Sequence, residues 1–165
     1  SITFGAPTKT FNIAGIVSSY CIVPNEELRN RLFSWMAANE LDEPHIFAPI
    51  ATMAAFNEGE EWRRQMLHYI EGNIMFVEDY LKENIPQIKP LRPQASFLVW
   101  LDCRGLRLQH DALVSLFVDE AGLALNDGEM FGKGGEGFMR MNIASPRAVL
   151  REALGRLKDA VERRK

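Results

Sequence analysis

Several things are scarce in this 165-residue chain, and each scarcity closes a class of answers. It holds two cysteines, Cys21 and Cys103, far apart and in no CxxC pair. That excludes a disulfide framework and a cysteine-built zinc site, and reads as two reduced core thiols of a cytoplasmic protein. Its three histidines, His45, His68 and His110, have neither metal-ligand spacing nor a Ser or Cys partner at a nucleophile elbow, so no metal is expected. No run of about 18 apolar residues occurs, so no membrane span is expected. Lys and Arg number 19 against 22 Asp and Glu, a net charge of -3 without a basic stripe, which argues against a nucleic-acid partner. The one basic run, Arg163-Arg164-Lys165, reads as a frayed helix end. Twelve Gly and eight Pro are too few for a collagen-like or low-complexity chain. The start, Ser1-Ile2-Thr3-Phe4, lacks the basic and apolar regions of a signal peptide and enters directly into a strand, as though cut from something longer.

What is present describes a soluble globular unit. Ten Phe, three Trp and three Tyr supply core, and a chain of this size buries about 70% of its unfolded surface. After the strand at Ile2-Thr3-Phe4, residues 13–23 are small and β-branched and read as a second, mostly buried strand ended by Pro24-Asn25. Asn25 with Glu26-Glu27 gives an N-cap and two acids at the positive end of a helix dipole. The alanine-rich stretch 46–56 reads as a buried helix. From 60 to 84, Trp62, Met66, Tyr69, Ile70, Ile74, Val77, Tyr80 and Leu81 mark one face of a helix about 37 Å long, sufficient to bridge two domains.

Beyond Pro86 and Pro90 the pattern alternates in type. Residues 96–102 read as a strand, 110–120 as a helix closed by Gly122, 123–125 as a short strand and 138–143 as a longer one. Ser145-Pro146 supplies an N-cap and an N1 proline for a last helix with Leu150, Leu154, Leu157 and Val161 inward. The class is α/β, with an α+β small domain of two or three strands against two or three helices. The expected division is 1–58, 59–86 for the bridging helix, and 87–165.

Two residues stand out chemically. Lys9 lies on a turn between two candidate buried strands, where lost hydration lowers a lysine's pKa toward that of a nucleophile. The alternative is an ordinary solvated lysine. Arg140 shares a strand face with Phe138 and Asn142, and a partly desolvated guanidinium fork suits a carboxylate held bidentately. Its alternative is a structural ion pair with an acid such as Asp102. The glycine-rich loop 128–137 leads into a strand, whereas a phosphate-binding loop must open onto a helix N-terminus. It therefore reads as a flexible connection, a lid near Arg140. Trp62 and Trp100 read as core residues, and His45 as structural.

Taken together, Ala6-Pro7-Thr8-Lys9-Thr10-Phe11-Asn12-Ile13-Ala14-Gly15 and Gly137-Phe138-Met139-Arg140-Met141-Asn142-Ile143-Ala144-Ser145-Pro146-Arg147 resemble two signatures of one family. They are similar to the pyridoxal-phosphate-dependent carbon-sulfur lyases of the cystathionine β-lyase type, in the class I and II aminotransferase superfamily of fold type I. Ala54-Ala55-Phe56, Gly59-Glu60-Glu61-Trp62, Ser96-Phe97-Leu98-Val99-Trp100-Leu101-Asp102, Leu125-Asn126-Asp127-Gly128 and Phe131-Gly132 match in the same order.

The resemblance implies the C-terminal part of a fold type I pyridoxal-phosphate enzyme, a remnant of its large domain followed by the small C-terminal domain. Lys9 would hold pyridoxal 5'-phosphate covalently and shuttle the substrate's α-proton. Thr8 would offer its hydroxyl to the cofactor phosphate, and Arg140 would bind the α-carboxylate of an amino-acid substrate. The implied reaction is β-elimination from a sulfur-containing amino acid, by a homodimer. An aminotransferase using the same lysine, or a non-catalytic module keeping the fold, are the alternatives. Many aminotransferases of this fold carry a phosphate-binding arginine eight residues after the lysine, where this chain has Val17, which favours the lyase branch. Ala6 stands where several relatives have a phosphate-binding serine.

Overall fold

The computed structural model describes residues 1–164, in two compact units, Ser1–Leu67 and His68–Lys165. Helix and sheet are mixed in the manner of the α/β class.

In the first unit β1 (Thr3–Gly5) pairs antiparallel with β2 (Tyr20–Ile22), Phe4 opposite Cys21. Between them Pro7 opens the one-turn helix α1 (Pro7–Thr10), its fixed φ suiting the first helical position. A 3-10 turn at Ala14–Ile16 follows and ends on Val17 in the left-handed region at φ 51°. Helix α2 (Glu26–Ala38) is capped by Asn25, whose Oδ1 accepts from the Leu28 amide at 2.8 Å. Helix α3 (Ala48–Glu58) follows, and α4 (Glu60–Asn84) begins here.

Three expectations are corrected in this unit. The strand read over 13–23 is regular only over its last part, because the Ala14–Ile16 turn and Val17 break the extended run. It is not mostly buried, since Tyr20 and Ile22 are exposed. Helix α3 forms, but its apolar side is open, with Ile50 61% exposed. Apolar content fixed the helix; burial depends on what packs against it, which composition does not encode.

In the second unit β3 (Lys89–Leu91), β4 (Leu98–Asp102), β5 (Asn126–Asp127) and β6 (Phe138–Asn142) form one antiparallel sheet in the order β3-β4-β6-β5. Val99, Leu101, Met139 and Met141 alternate onto the buried face. Against that unit's core lie the buried Val77 and Leu81 of α4, Phe117 beyond α5 (His110–Ser115), and Leu154 of α6 (Arg147–Arg163). Asn73, fully buried on α4, donates to the carbonyls of Ile143 and Ser145 at 2.9 and 3.0 Å and accepts from Arg147 Nε at 3.1 Å. These bonds fix where β6 ends and α6 begins.

Four strands stand where two or three were expected. Pro90 marks an edge strand, the one sheet position that tolerates a missing N–H. The short strand is Asn126–Asp127, not 123–125, because Leu123 and Leu125 join a turn by backbone bonding. Trp62 is 44% exposed and Trp100 half-buried on the open sheet face, so neither is core. Cys103 is a buried thiol, whereas Cys21 is only half-buried. The basic end is not frayed: Arg163 donates to the Glu120 carbonyl at 3.1 Å, and Arg164 pairs with the Glu120 carboxylate, holding it below the usual range. Lys165 lies outside the described residues.

Candidate functional site

Lys9 lies in the last turn of α1, its side chain exposed, with no hydrogen-bond or ion-pair partner among the described residues. Thr8 beside it is half-buried, and its carbonyl accepts from the Ile13 amide at 2.9 Å. The turn is held from below by Phe11, which packs edge-on against Phe56 at 5.5 Å between ring centres. Gly59 leaves room for that ring: a Cβ there would come within 2.8 Å of Phe11 and 2.4 Å of the Ala55 carbonyl oxygen. Lys9 is thus an unpaired, exposed side chain on a braced turn, without the lost hydration expected from the sequence.

Arg140 occupies the second unit. Strand alternation turns it to the open face of the sheet, in register with Trp100 on β4 and Asn126 on β5. Its guanidinium donates to Asn126 Oδ1 at 2.9 Å and lies 4.3 Å from the centre of the Phe131 ring. Its Nε is buried and without a partner, and no carboxylate lies within ion-pair distance of it among the described residues. The acid considered as its structural partner, Asp102, is taken by Arg104 at 2.7 and 2.9 Å, which holds the Asp102 carboxyl below its ordinary range. A guanidinium placed in this way has an unmet donor, a π-face beneath it and no compensating charge. Its fork can accept an incoming carboxylate in two-point contact.

Beside it the sheet face opens into a cleft of about 350 Å³ lined by Leu91, Trp100, Phe131 and Phe138 and floored by Gly132 to Gly135. Trp100 stands edge-on to both Phe131 and Phe138, at 5.4 and 5.9 Å. The loop expected to be a flexible connection is shaped from its start. Gly128–Phe131 is a 3-10 turn capped by Asp127, and Gly128 and Gly135 pack backbone to backbone so closely that a Cβ on Gly135 would lie 2.0 Å from the Gly128 oxygen. Asn126 entered the sequence reading only through the resemblance, and Phe131 only as a member of the glycine-rich loop and through the resemblance. The signal for them was Asn-Asp-Gly turn chemistry immediately before the loop.

No group of three or more potential metal ligands is assembled among the described residues, and no helix there is long and apolar enough to cross a membrane.

No family model matches the chain. Cystathionine beta-lyase PatB of Bacillus subtilis is 36% identical over 161 residues, covering 98% of this chain and 42% of that protein. Among solved structures, cystalysin of Treponema denticola, which contains a pyridoxal 5'-phosphate cofactor, superposes with a TM-score of 0.88 at 33% identity, over 99% of this chain and 42% of its own. The pyridoxal-phosphate-bound C-S lyase of Staphylococcus hominis does so with a TM-score of 0.85 at 31% identity, over 97% of this chain and 42% of its own. The chain spans about two fifths of the length of the relatives it matches.

Proposed function

The chain belongs with the cystathionine β-lyase type carbon-sulfur lyases of the aminotransferase superfamily, and from that premise we propose that it is the C-terminal portion of a pyridoxal-phosphate-dependent β-eliminating enzyme. Its substrate is a sulfur-containing amino acid. With one water consumed, the carbon-sulfur bond breaks, the sulfur leaves as a thiol, and the remaining three carbons and nitrogen emerge as pyruvate and ammonia.

The observation that carries the reading is Arg140, a guanidinium with an unsatisfied Nε, no acid partner and an aromatic cleft at its side. Such a group binds a carboxylate and leaves the apolar thioether to the cleft. The residues present also suit the attachment end of the cofactor: Lys9 is an exposed amine with no competing partner, and the adjacent Thr8 adds a hydroxyl. Bound there, pyridoxal phosphate supplies an electron sink for the α-carbon. Lys9 would then take the α-proton as the carbon-sulfur bond breaks and pass a proton to the departing thiolate, while Arg140 would fix the substrate by its carboxylate so that the bond to be broken keeps one orientation.

In this reading 1–58 belongs to the cofactor-binding domain, 59–86 is a bridging helix and 87–165 is the small domain. The enzyme works as a homodimer in the cytoplasm, where both cysteines stay reduced. Assayed as the longer enzyme with cystathionine, it releases pyruvate stoichiometrically with no oxo-acid added; a strict need for an oxo-acid acceptor makes it an aminotransferase instead. Lys9→Ala removes turnover and the cofactor's protein-bound absorption band, and turnover that survives the change refutes the role of Lys9. Arg140→Lys keeps the charge but loses the fork, so KM rises by about tenfold or more, the worth of a charged hydrogen bond, while kcat changes less.

A further inference from the structure

The two side chains in contact with the Arg140 guanidinium, Asn126 and Phe131, come from one short stretch, residues 126–131. Asn126 accepts from its guanidinium, and Phe131 lies against its face. The same stretch carries two carboxylates, Asp127 and Glu129, next in sequence to Asn126 and within two residues of Phe131. Neither reaches Arg140. Both turn to His110, with Asp127 Oδ2 3.3 Å from Nε2 and Glu129 Oε1 3.0 Å from Nδ1. In its protonated form an imidazole has two N–H donors on opposite edges, which matches two carboxylates approaching from two sides. His110 is the first residue of α5, and that helix is anchored by Leu113 and by Leu116 and Phe117 just after it, all at the bottom of the core. The imidazole therefore reaches the 126–131 segment from a rigid base.

We propose that His110 is a positioning residue for substrate binding. By clamping Asp127 and Glu129 it fixes the segment whose Asn126 and Phe131 aim the Arg140 fork. Without the clamp, Asn126 and Phe131 lose their fixed placement, and the Arg140 fork has to be aimed anew when a substrate carboxylate arrives. The proposal rests on the reading of Arg140 as the carboxylate anchor, so its test separates the two.

The test uses the cofactor-loaded full-length enzyme and 3-(methylthio)propionate, a thioether carboxylate that has no amino group and cannot react with the cofactor. Its Kd is measured by calorimetry, with KM and kcat for cystathionine alongside. His110→Ala weakens the probe by about fivefold and raises KM in proportion, while kcat, the cofactor absorption band and Tm stay close to those of the parent. His110→Arg, which restores a two-pronged cation, recovers most of the affinity. Glu129→Gln, a change at a half-exposed side chain that the fold does not depend on, gives an intermediate loss and decides the matter if His110→Ala fails to fold. If the His110→Ala and Glu129→Gln variants bind the probe as the parent does while Arg140→Lys binds it weakly, the positioning role is overturned and the Arg140 reading stands. If Arg140→Lys also binds like the parent, the Arg140 reading itself falls.

Discussion

At the scale of single residues, the second unit treats two polar side chains in opposite ways. Arg140 is half-buried and keeps one buried donor, Nε, without a partner. Cys103 is sealed, its sulfur 3.4 Å from the Leu101 carbonyl, and burial, helped by the nearby Asp102 charge, pushes its thiol up to about 12. The thiolate is the reactive form, so Cys103 is inert near neutral pH. Exposed to iodoacetamide at pH 8 under native conditions, the chain is expected to take a single label, at the half-buried Cys21, with Cys103 labelled only after denaturation. Rapid native labelling of Cys103, seen by peptide mass spectrometry, contradicts the burial. The sign of the pH effect follows. An unfolded cysteine loses its proton near about 8.5, whereas the folded one keeps it until about 12, so across that window the native state holds the extra proton. Stability contributed by the neutral thiol is therefore intact below the window and falls as pH rises through it. Alkaline denaturation monitored by circular dichroism, compared between the parent and Cys103→Ala, isolates this contribution as the part of the slope that the variant lacks.

At the scale of elements, the junction between β6 and α6 rests on Asn73. One buried amide satisfies the buried Ile143 carbonyl and, at half-buried positions, the Ser145 carbonyl and the Arg147 guanidinium. Leucine at position 73 is close in size and leaves these groups unpaired, so Asn73→Leu is expected to cost about 2 to 4 kcal/mol, read as a lowered urea midpoint. A loss under about 0.5 kcal/mol, the range of an ordinary surface change, means the junction is held by something else. Asn73 lies among the apolar residues of the α4 stripe, and that pattern alone gives no warning of it. Helices were legible because their signals are local: Asn25 caps α2 as its sequence requires, and the apolar period from Trp62 to Leu81, with Pro86 beyond it, marks α4. The strands were legible where alternation ran for five residues, as in β4 and β6. The two-residue β5 was misplaced and the three-residue β3 was not read at all, because so short a segment has no period of its own and exists through its partner. The site follows the same rule. Arg140 and Lys9 stood out by type and context, but the placement of Asn126, Phe131 and His110 is set by pairing and turn geometry across stretches of up to 30 residues.

At the scale of the whole molecule, the two units differ in what they bury. From Ser1 to Leu67 only Val23 and Ala48 are buried hydrophobic residues, while Phe4, Val17 and Ile46 are 73%, 80% and 75% exposed. In the second unit the sheet and helices enclose a continuous core that includes Leu81, Leu101, Leu116, Phe117, Leu154 and Leu157, none more than 1% exposed. Burial of a single Leu or Phe side chain is worth about 1.5 to 3 kcal/mol, so the second unit has many such terms to set against chain entropy and the first has almost none. Local opening free energy should therefore be low over residues 1–67 and close to the global value in the second unit. Expressed as the 165-residue chain and treated briefly with thermolysin, the protein is expected to be cut first within residues 1–67 and to leave a resistant fragment that retains the core helices and the four-stranded sheet. Hydrogen exchange should give the same order, with the amides of α2 and α3 exchanging well before those of β4 and β6. If α2 and α3 are protected as strongly as the sheet in the isolated chain, the first unit has a source of stability that its exposed apolar side chains do not account for, and the proposal that it is a remnant of a larger cofactor-binding domain loses its physical support.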